Sequence, residues 1–190
     1  VGTAMLDILN TAGVRYGCLG AAESCCGDQA RRIGAQDVYD DVKQQNMTLF
    51  EEHGVRELIV ASPHCLQTIN QDYAKGTELH ATHYATFFHR LVQDGHLILS
   101  KPIEAKVTYH DPCYLGRHAG EYEAPRELLR AIPGLQLLEM PRNQERSLCC
   151  GGGGGGIWLD VPSEERFSVL RVQEALRTGA EIIATACPYC

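Results

Sequence analysis

Short apolar runs alternate along this chain with longer stretches whose apolar residues recur at helical spacing. Met5, Leu6 and Leu9 mark a first helix, and Val14 to Leu19 reads as a strand. Asp37 to His53 is predicted as a long amphipathic helix on the spacing of Val38, Val42 and Leu49, with Gly54 closing it in the C-cap position. Glu57 to Ala61 reads as a buried strand, and Pro63 suits the first turn of a helix running to about Tyr73. Leu79 to Thr82 is a short strand and Tyr84 to Gln93 a helix.

The second half follows the same rhythm. Ala105 to His110 is a strand, Ala124 to Ile132 a helix, and Leu135 to Glu139 a strand. Ser163 to Arg177 reads as a helix with Ser163 as N-cap, although Arg166 stands where a capping box prefers Glu or Gln. Ala180 to Thr185 is the last strand.

Part of this rhythm is an internal repeat. The segment from Gly54 to Cys65 lines up without a gap on Gly179 to Cys190, so that Ala61, Pro63 and Cys65 fall on Ala186, Pro188 and Cys190. Upstream, Cys25-Cys26-Gly27 falls on Cys149-Cys150-Gly151, and Gly13-Val14 on Gly134-Leu135. Strands alternating with helices favour parallel sheets. The expected fold is therefore α/β, with two similar tandem units of short parallel sheet related by a pseudo-twofold. Their expected extents are 1–100 and 101–190.

Composition narrows the function classes. At 190 residues, 44 % of them apolar, the chain is long enough for a real core. A net charge of -7, with Lys and Arg scattered singly or in pairs, argues against nucleic acid as a partner. No apolar run approaches the roughly 18 residues of a membrane span, and no signal-peptide pattern opens the chain. A cytoplasmic location is expected. Nine cysteines are then read as thiols, where clusters usually mean metal rather than disulfides. Val1 in place of an initiator Met, and a motif ending on Cys190, lead us to expect that both ends are cut.

The cysteines carry the chemistry. Cys187-Pro188-Tyr189-Cys190 at a strand-to-helix junction suits zinc, an iron-sulfur ligand pair or a redox dithiol. Adjacent Cys149 and Cys150 suit a larger cluster, because neighbouring side chains in an extended segment diverge. Cys113, in His110-Asp111-Pro112-Cys113, brings the thiols to five from three loops, whereas tetrahedral zinc needs four ligands.

The pattern Cys113-x35-Cys149-Cys150-Gly151-x35-Cys187-x2-Cys190 resembles the cysteine-rich CCG domain of the heterodisulfide reductase catalytic subunit and its relatives. The likeness covers essentially the whole chain as two tandem domains. It implies that Cys113, Cys149, Cys150, Cys187 and Cys190 bind a non-cubane 4Fe-4S cluster. It also implies an oxidoreductase role, with electrons passing to or from a thiol, disulfide or quinone acceptor. His110 to Arg117 and Cys149-Cys150-Gly151 look most like the membrane-associated branch, so the cytoplasmic face of a membrane complex is an expected location. No nucleotide or flavin fingerprint is present, and the expected partner is an electron-donor subunit or domain with ferredoxin-like clusters or flavin. The alternatives are a zinc-stabilised assembly module and, behind it, a cluster-free dithiol enzyme.

The first half departs from this pattern. Ser62 stands where Cys187 stands, and the counterpart of Cys113 would precede Val1. Cys25, Cys26 and Cys65 are left as ligands of a second iron-sulfur or zinc site, or as structural thiols. Cys18, outside the repeat, is expected in the core. The six glycines Gly151 to Gly156 are expected to let backbone N–H groups approach the cluster closely. His64 and His110 adjoin cysteine motifs, and His110 is a candidate hydrogen-bond donor beside the cluster. Asp111 is expected to cap the loop before Pro112, and Trp158 and Tyr189 to flank the site.

Overall fold

A computed structural model describes residues 2–190 and divides the chain into two compact units, one ending at Tyr84 and the other spanning Ala85–Cys190. Each is α/β with a small parallel sheet.

In the first unit, α1 (Gly2–Thr11), α2 (Asp28–Arg32) and α3 (Gln36–Glu52) precede β1 (Glu57–Val60). Then α4 (Pro63–Thr68) runs on as a π-helical turn to Tyr73, and β2 (His80–His83) pairs parallel to β1 from Glu57↔His80 to Val60↔His83. The end of α3 is a Schellman cap. Gly54 takes the left-handed conformation at φ 62°, while Gly54 N–H and Val55 N–H return to the carbonyls of Glu51 and Phe50. Leu9, Tyr39, Phe50, Leu66, Ile69 and Tyr73 form the core.

The second unit takes in α5 (Tyr84–Gln93), which begins at the division, then β3 (Ala105–His110), α6 (Glu123–Arg130), β4 (Leu135–Leu138), α7 (Phe167–Leu176) and β5 (Ile182–Thr185). Its sheet runs β4-β3-β5, all parallel, with Val107↔Ile182 and Ala105↔Leu135 in register. The central strand β3 is buried over its last four residues, as a strand covered on both faces should be. Strand β5 is an edge among the described residues, and Ile182 and Ile183 are exposed on it. β1 and β5 occupy matched positions of the repeat. No helix is long and apolar enough to cross a membrane among the described residues.

Five sequence expectations need correction. Val14 to Leu19 is not a strand: its repeat partner β4 pairs with β3, and the described residues of the first unit contain no counterpart of β3. Cys18 within that segment is exposed rather than core. On α3 the buried face is Tyr39, Asn46 and Phe50, one position beyond the expected one, and Val38 is exposed. Ser163 begins a short 3-10 turn, and α7 starts only at Phe167, where Arg166 supplies no side-chain cap. β1 is also less buried than a central strand would be, because it has one neighbour among the described residues.

Candidate metal centre

The site of the second unit lies where β3 and β5 end, since Cys113 follows β3 and Cys187 follows β5 within a few residues. Strand carboxyl ends are where open parallel sheets place ligands. The loop after β3 is pinned by Asp111. Its carboxylate accepts two hydrogen bonds from Arg126, at 2.6 and 2.9 Å, and one from Gln144 N–H at 2.8 Å. Arg126, 1 % exposed, also donates to both oxygens of Glu139. These bonds to two carboxylates hold the guanidinium charged despite its burial.

The Cys149-Cys150 loop is fixed one step upstream. Ser147 Oγ donates to the Asp111 carbonyl and accepts from Arg171 Nη2, while Arg117 donates to the Ser147 and Glu145 carbonyls. Arg171 is itself held by Glu174 and the Arg142 carbonyl.

The five sulfurs meet in a continuous chain of contacts. Cys113 hydrogen-bonds Cys149, Cys149 bonds Cys150, Cys150 Sγ lies 3.2 Å from Cys190 Sγ, and Cys190 bonds Cys187. Hydrogen bonds from the Cys113 and Cys150 thiols, helped by Gly151 N–H and Arg117, bring the Cys149 thiol down to about 2. The donors Cys113 and Cys150 are pushed up correspondingly, and Cys190 is pushed up by its bonds to Cys150 and Cys187. One thiolate in this chain is therefore strongly favoured, which is the state a metal requires.

Backbone N–H groups reach the same sulfurs. Gly151 donates to Cys149 Sγ at 3.3 Å and Gly152 to Cys150 Sγ at 3.4 Å. Gly151 has φ 81°, and at Gly152 a Cβ would strike the Tyr189 carbonyl oxygen. Glycine is thus a conformational requirement at Gly151 and a steric one at Gly152. A cavity of about 200 Å³ adjoins Cys150 and Cys190, lined mainly by apolar atoms of α7 and β5 with His110 and Met140. Trp158 stands exposed.

His110 is 4 % exposed, and a ring nitrogen lies within 4.8 Å of the Cys150 and Cys190 sulfurs. Its Nδ1 accepts from Arg171 Nε at 2.9 Å, and its Nε2 has no protein partner. Burial and the neighbouring Arg171 charge bring its pKa down to about 4.

The first unit repeats the arrangement in part. Gly27, at φ 78°, donates to Cys25 Sγ at 3.4 Å, and Cys26 bonds Cys65. Ser62, the N-cap of α4, accepts from His64 N–H at 3.2 Å and bonds Cys65. The carbonyls of Cys25 and Cys26 accept from Asn46 and Tyr73. Asp28 is buried against His64 Nδ1 at 2.7 Å, with Arg32 and Thr68 also donating. Burial alone would raise the Asp28 carboxyl, but the His64 bond and charge, joined by Arg32, outweigh it and hold the group below the usual carboxylate range.

Sequence reasoning singles out the cysteines and His110 but misses Arg126, Arg171, Glu174, Asn46 and Tyr73. Apart from the Arg171–Glu174 pair on α7, the partners that fix them lie far away in sequence, so no local pattern marks them. Asp111 does cap a backbone N–H, that of Gln144 rather than one in its own loop, and its main partner is Arg126.

The fold and these thiol loops define a tandem α/β protein built around repeated cysteine sites. The chain belongs to the CCG cysteine-rich domain family, whose model matches residues 1–70 and 107–190. It is 39 % identical over 198 residues to the EtfAB:quinone oxidoreductase of Syntrophomonas wolfei, covering 100 % of this chain and 28 % of that protein. It is 36 % identical over 184 residues to the probable iron-sulfur-binding oxidoreductase FadF of Bacillus subtilis, covering 96 % of this chain and 26 % of that protein. To one subunit of the dihydromethanophenazine:CoB–CoM heterodisulfide reductase of Methanosarcina barkeri it is 36 % identical over 191 residues, covering 96 % of this chain and 46 % of that one. The chain thus spans less than half the length of each of these relatives.

Proposed function

We propose that this chain is the iron-sulfur redox module of a heterodisulfide-reductase-like oxidoreductase, with a non-cubane 4Fe-4S cluster held by Cys113, Cys149, Cys150, Cys187 and Cys190. The observation that carries the reading is the unbroken sulfur chain from Cys113 to Cys187, met by the N–H groups of Gly151 and Gly152. A tetrahedral zinc would leave one of five converging thiols idle. His110, whose ring lies beside Cys150 and Cys190 and whose buried Nε2 has no protein partner, also fits a site that receives a further group.

The bound cluster supplies reversible electron transfer. The residues of this chain would hold it and set the charge around it. Arg117 balances thiolate charge near Cys149, and the Asp111–Arg126–Glu139 network fixes the loop that carries Cys113. Electrons pass between a partner's ferredoxin-like clusters or flavin and a thiol, disulfide or quinone acceptor. The module works in the cytoplasm or on the cytoplasmic face of a membrane complex, with no nucleic acid partner. In the first unit Cys25, Cys26 and Cys65 supply three thiols and Ser62 a hydroxyl, a donor set for zinc or an altered cluster.

Anaerobic purification of the full-length protein, with iron, acid-labile sulfide and zinc analysis, tests the reading. Iron and sulfide in equal amount, and a visible absorption that Cys150→Ser removes, are expected. Zinc without colour would establish the structural-module alternative.

A further inference from the structure

Arg171 occupies one of the two ring nitrogens of His110. A guanidinium only donates, so the Nδ1 that accepts from Arg171 Nε at 2.9 Å must carry a lone pair. The ring is therefore neutral and its proton sits on Nε2. That nitrogen is buried and has no protein partner; a ring nitrogen of His110 lies within 4.8 Å of the Cys150 and Cys190 sulfurs, and Nε2 is the one with a proton to give them. Arg171 cannot swing away easily, since Glu174, the Arg142 carbonyl and Ser147 Oγ occupy its other donors.

We infer that His110 is a positioning hydrogen-bond donor, locked by Arg171 with Nε2–H toward the Cys150 and Cys190 sulfurs, and that it raises the reduction potential of the centre those sulfurs hold. A proton donor facing a thiolate as a ligand would be blocked from coordinating metal itself. A hydrogen bond to a ligating sulfur stabilises the more negative, reduced state, so its removal lowers the potential. The inference rests on the iron-sulfur reading above.

The test is a redox titration of anaerobically purified full-length protein, following the EPR or visible signal that Cys150→Ser removes. His110→Leu is expected to lower the midpoint potential with iron content unchanged. His110→Gln, whose amide nitrogen reaches the place of Nε2, is expected to return the potential toward wild type, while His110→Asn, which is too short, is expected to stay with Leu. Should Leu lose the cluster, the contrast between Gln and Asn decides. Equal potentials in wild type, Leu, Gln and Asn proteins that retain iron would overturn the inference and leave the iron-sulfur reading standing. A wild-type protein without iron would overturn both. Nitrogen-15 spectra of wild-type histidines add a check free of redox chemistry: a proton on Nδ1 of His110 would sink the tautomer argument.

Discussion

The two units hold their paired cysteines with the same backbone device and differ in what stands next to it. In both, a glycine in the left-handed conformation, Gly27 or Gly151, turns its N–H onto the sulfur two residues before it, Cys25 or Cys149. In both, the next residue meets the third position of the C-terminal motif. In the second unit this is Gly152 against the Tyr189 carbonyl, a contact that leaves no room for a side chain. In the first it is the Asp28 carboxylate against the His64 ring, with a short charged pair in place of bare backbone. Ser62 stands for Cys187 and bonds Cys65 with oxygen, whereas Cys187 bonds Cys190 with sulfur. One unit has gathered five thiols into contact, while the other has tied its loops together with polar side chains. The difference teaches that a common scaffold sets where the loops lie, and a few side chains decide whether they hold a cluster or one another.

The largest effect expected from this comparison is at Cys149, which contacts Cys113 and Cys150 and carries the favoured thiolate. Cys149→Ser is expected to abolish the visible absorption of the second-unit centre. Its repeat partner Cys25, exposed and with a sulfur that accepts from the nearby Gly27 N–H, is expected to leave that absorption intact when changed to Ser. Equal losses in the two variants, measured as iron per chain and visible spectrum, would break the distinction between the units.

Much of the fold is legible in the amino-acid order alone. Tyr84–Gln93 and Ala105–His110 have the predicted bounds because each has one unambiguous period and a clear flank. The repeat is legible because cysteine, glycine and proline are constrained by chemistry and φ rather than by packing partners. Val14 to Leu19 misleads for the opposite reason: an apolar run becomes a strand only if a neighbour pairs with it. Arg126 and Arg171 are illegible because a buried arginine looks like a surface one. The carboxylates of Arg126 come from other segments, and Arg171, though paired with Glu174 on its own helix, is fixed by His110, the Arg142 carbonyl and Ser147 far from it in sequence. Within the cysteine site, the converging thiols can be picked out from spacing, but the tautomer of His110 depends on Arg171, 61 positions away.

Ser62→Cys tests the other side of the comparison. A serine hydroxyl stays protonated at neutral pH and its hard oxygen is a poor ligand for iron in a sulfide-bridged cluster. Restoring sulfur beside Cys65 is expected to raise the iron or zinc bound per chain, with ferredoxin-type clusters counted separately. No gain in metal would mean that Ser62 is not what limits the first unit.

Arg126→Met is expected to destabilise the second unit by about 3–5 kcal/mol, because Asp111 is left as a buried charge without its partner. Amide exchange should quicken over the loop from Asp111 to Cys113 and around Gln144, and stay as it was around Asp28. For a chain of two compact units one global midpoint is a poor measure, so exchange resolved by segment is the appropriate readout. Uniform acceleration through both units would contradict their independence.

The smallest effect concerns acid, and it shows the two units using different carboxylates for one purpose. In the first unit Asp28 is held low by His64 and Arg32 against the cost of burial. In the second, Glu174 is buried too, and its bonds to Arg142 and Arg171 likewise outweigh burial and lower its pKa. A carboxylate whose folded pKa is depressed binds a proton more readily in the unfolded chain. Its contribution to stability is therefore full above the unfolded value, about 3.9 for Asp and 4.3 for Glu, and it drains away as pH falls through the lower folded value. Asp28→Asn and Glu174→Gln should each lower stability at neutral pH yet flatten its fall below about pH 4.5, Asp28→Asn in the first unit's exchange and Glu174→Gln in the second's. Metal content must be matched across the series, since ligand protonation releases metal over its own pH range. If either variant keeps the wild-type acid slope in its own unit, the carboxylate there is not the group that titrates with unfolding.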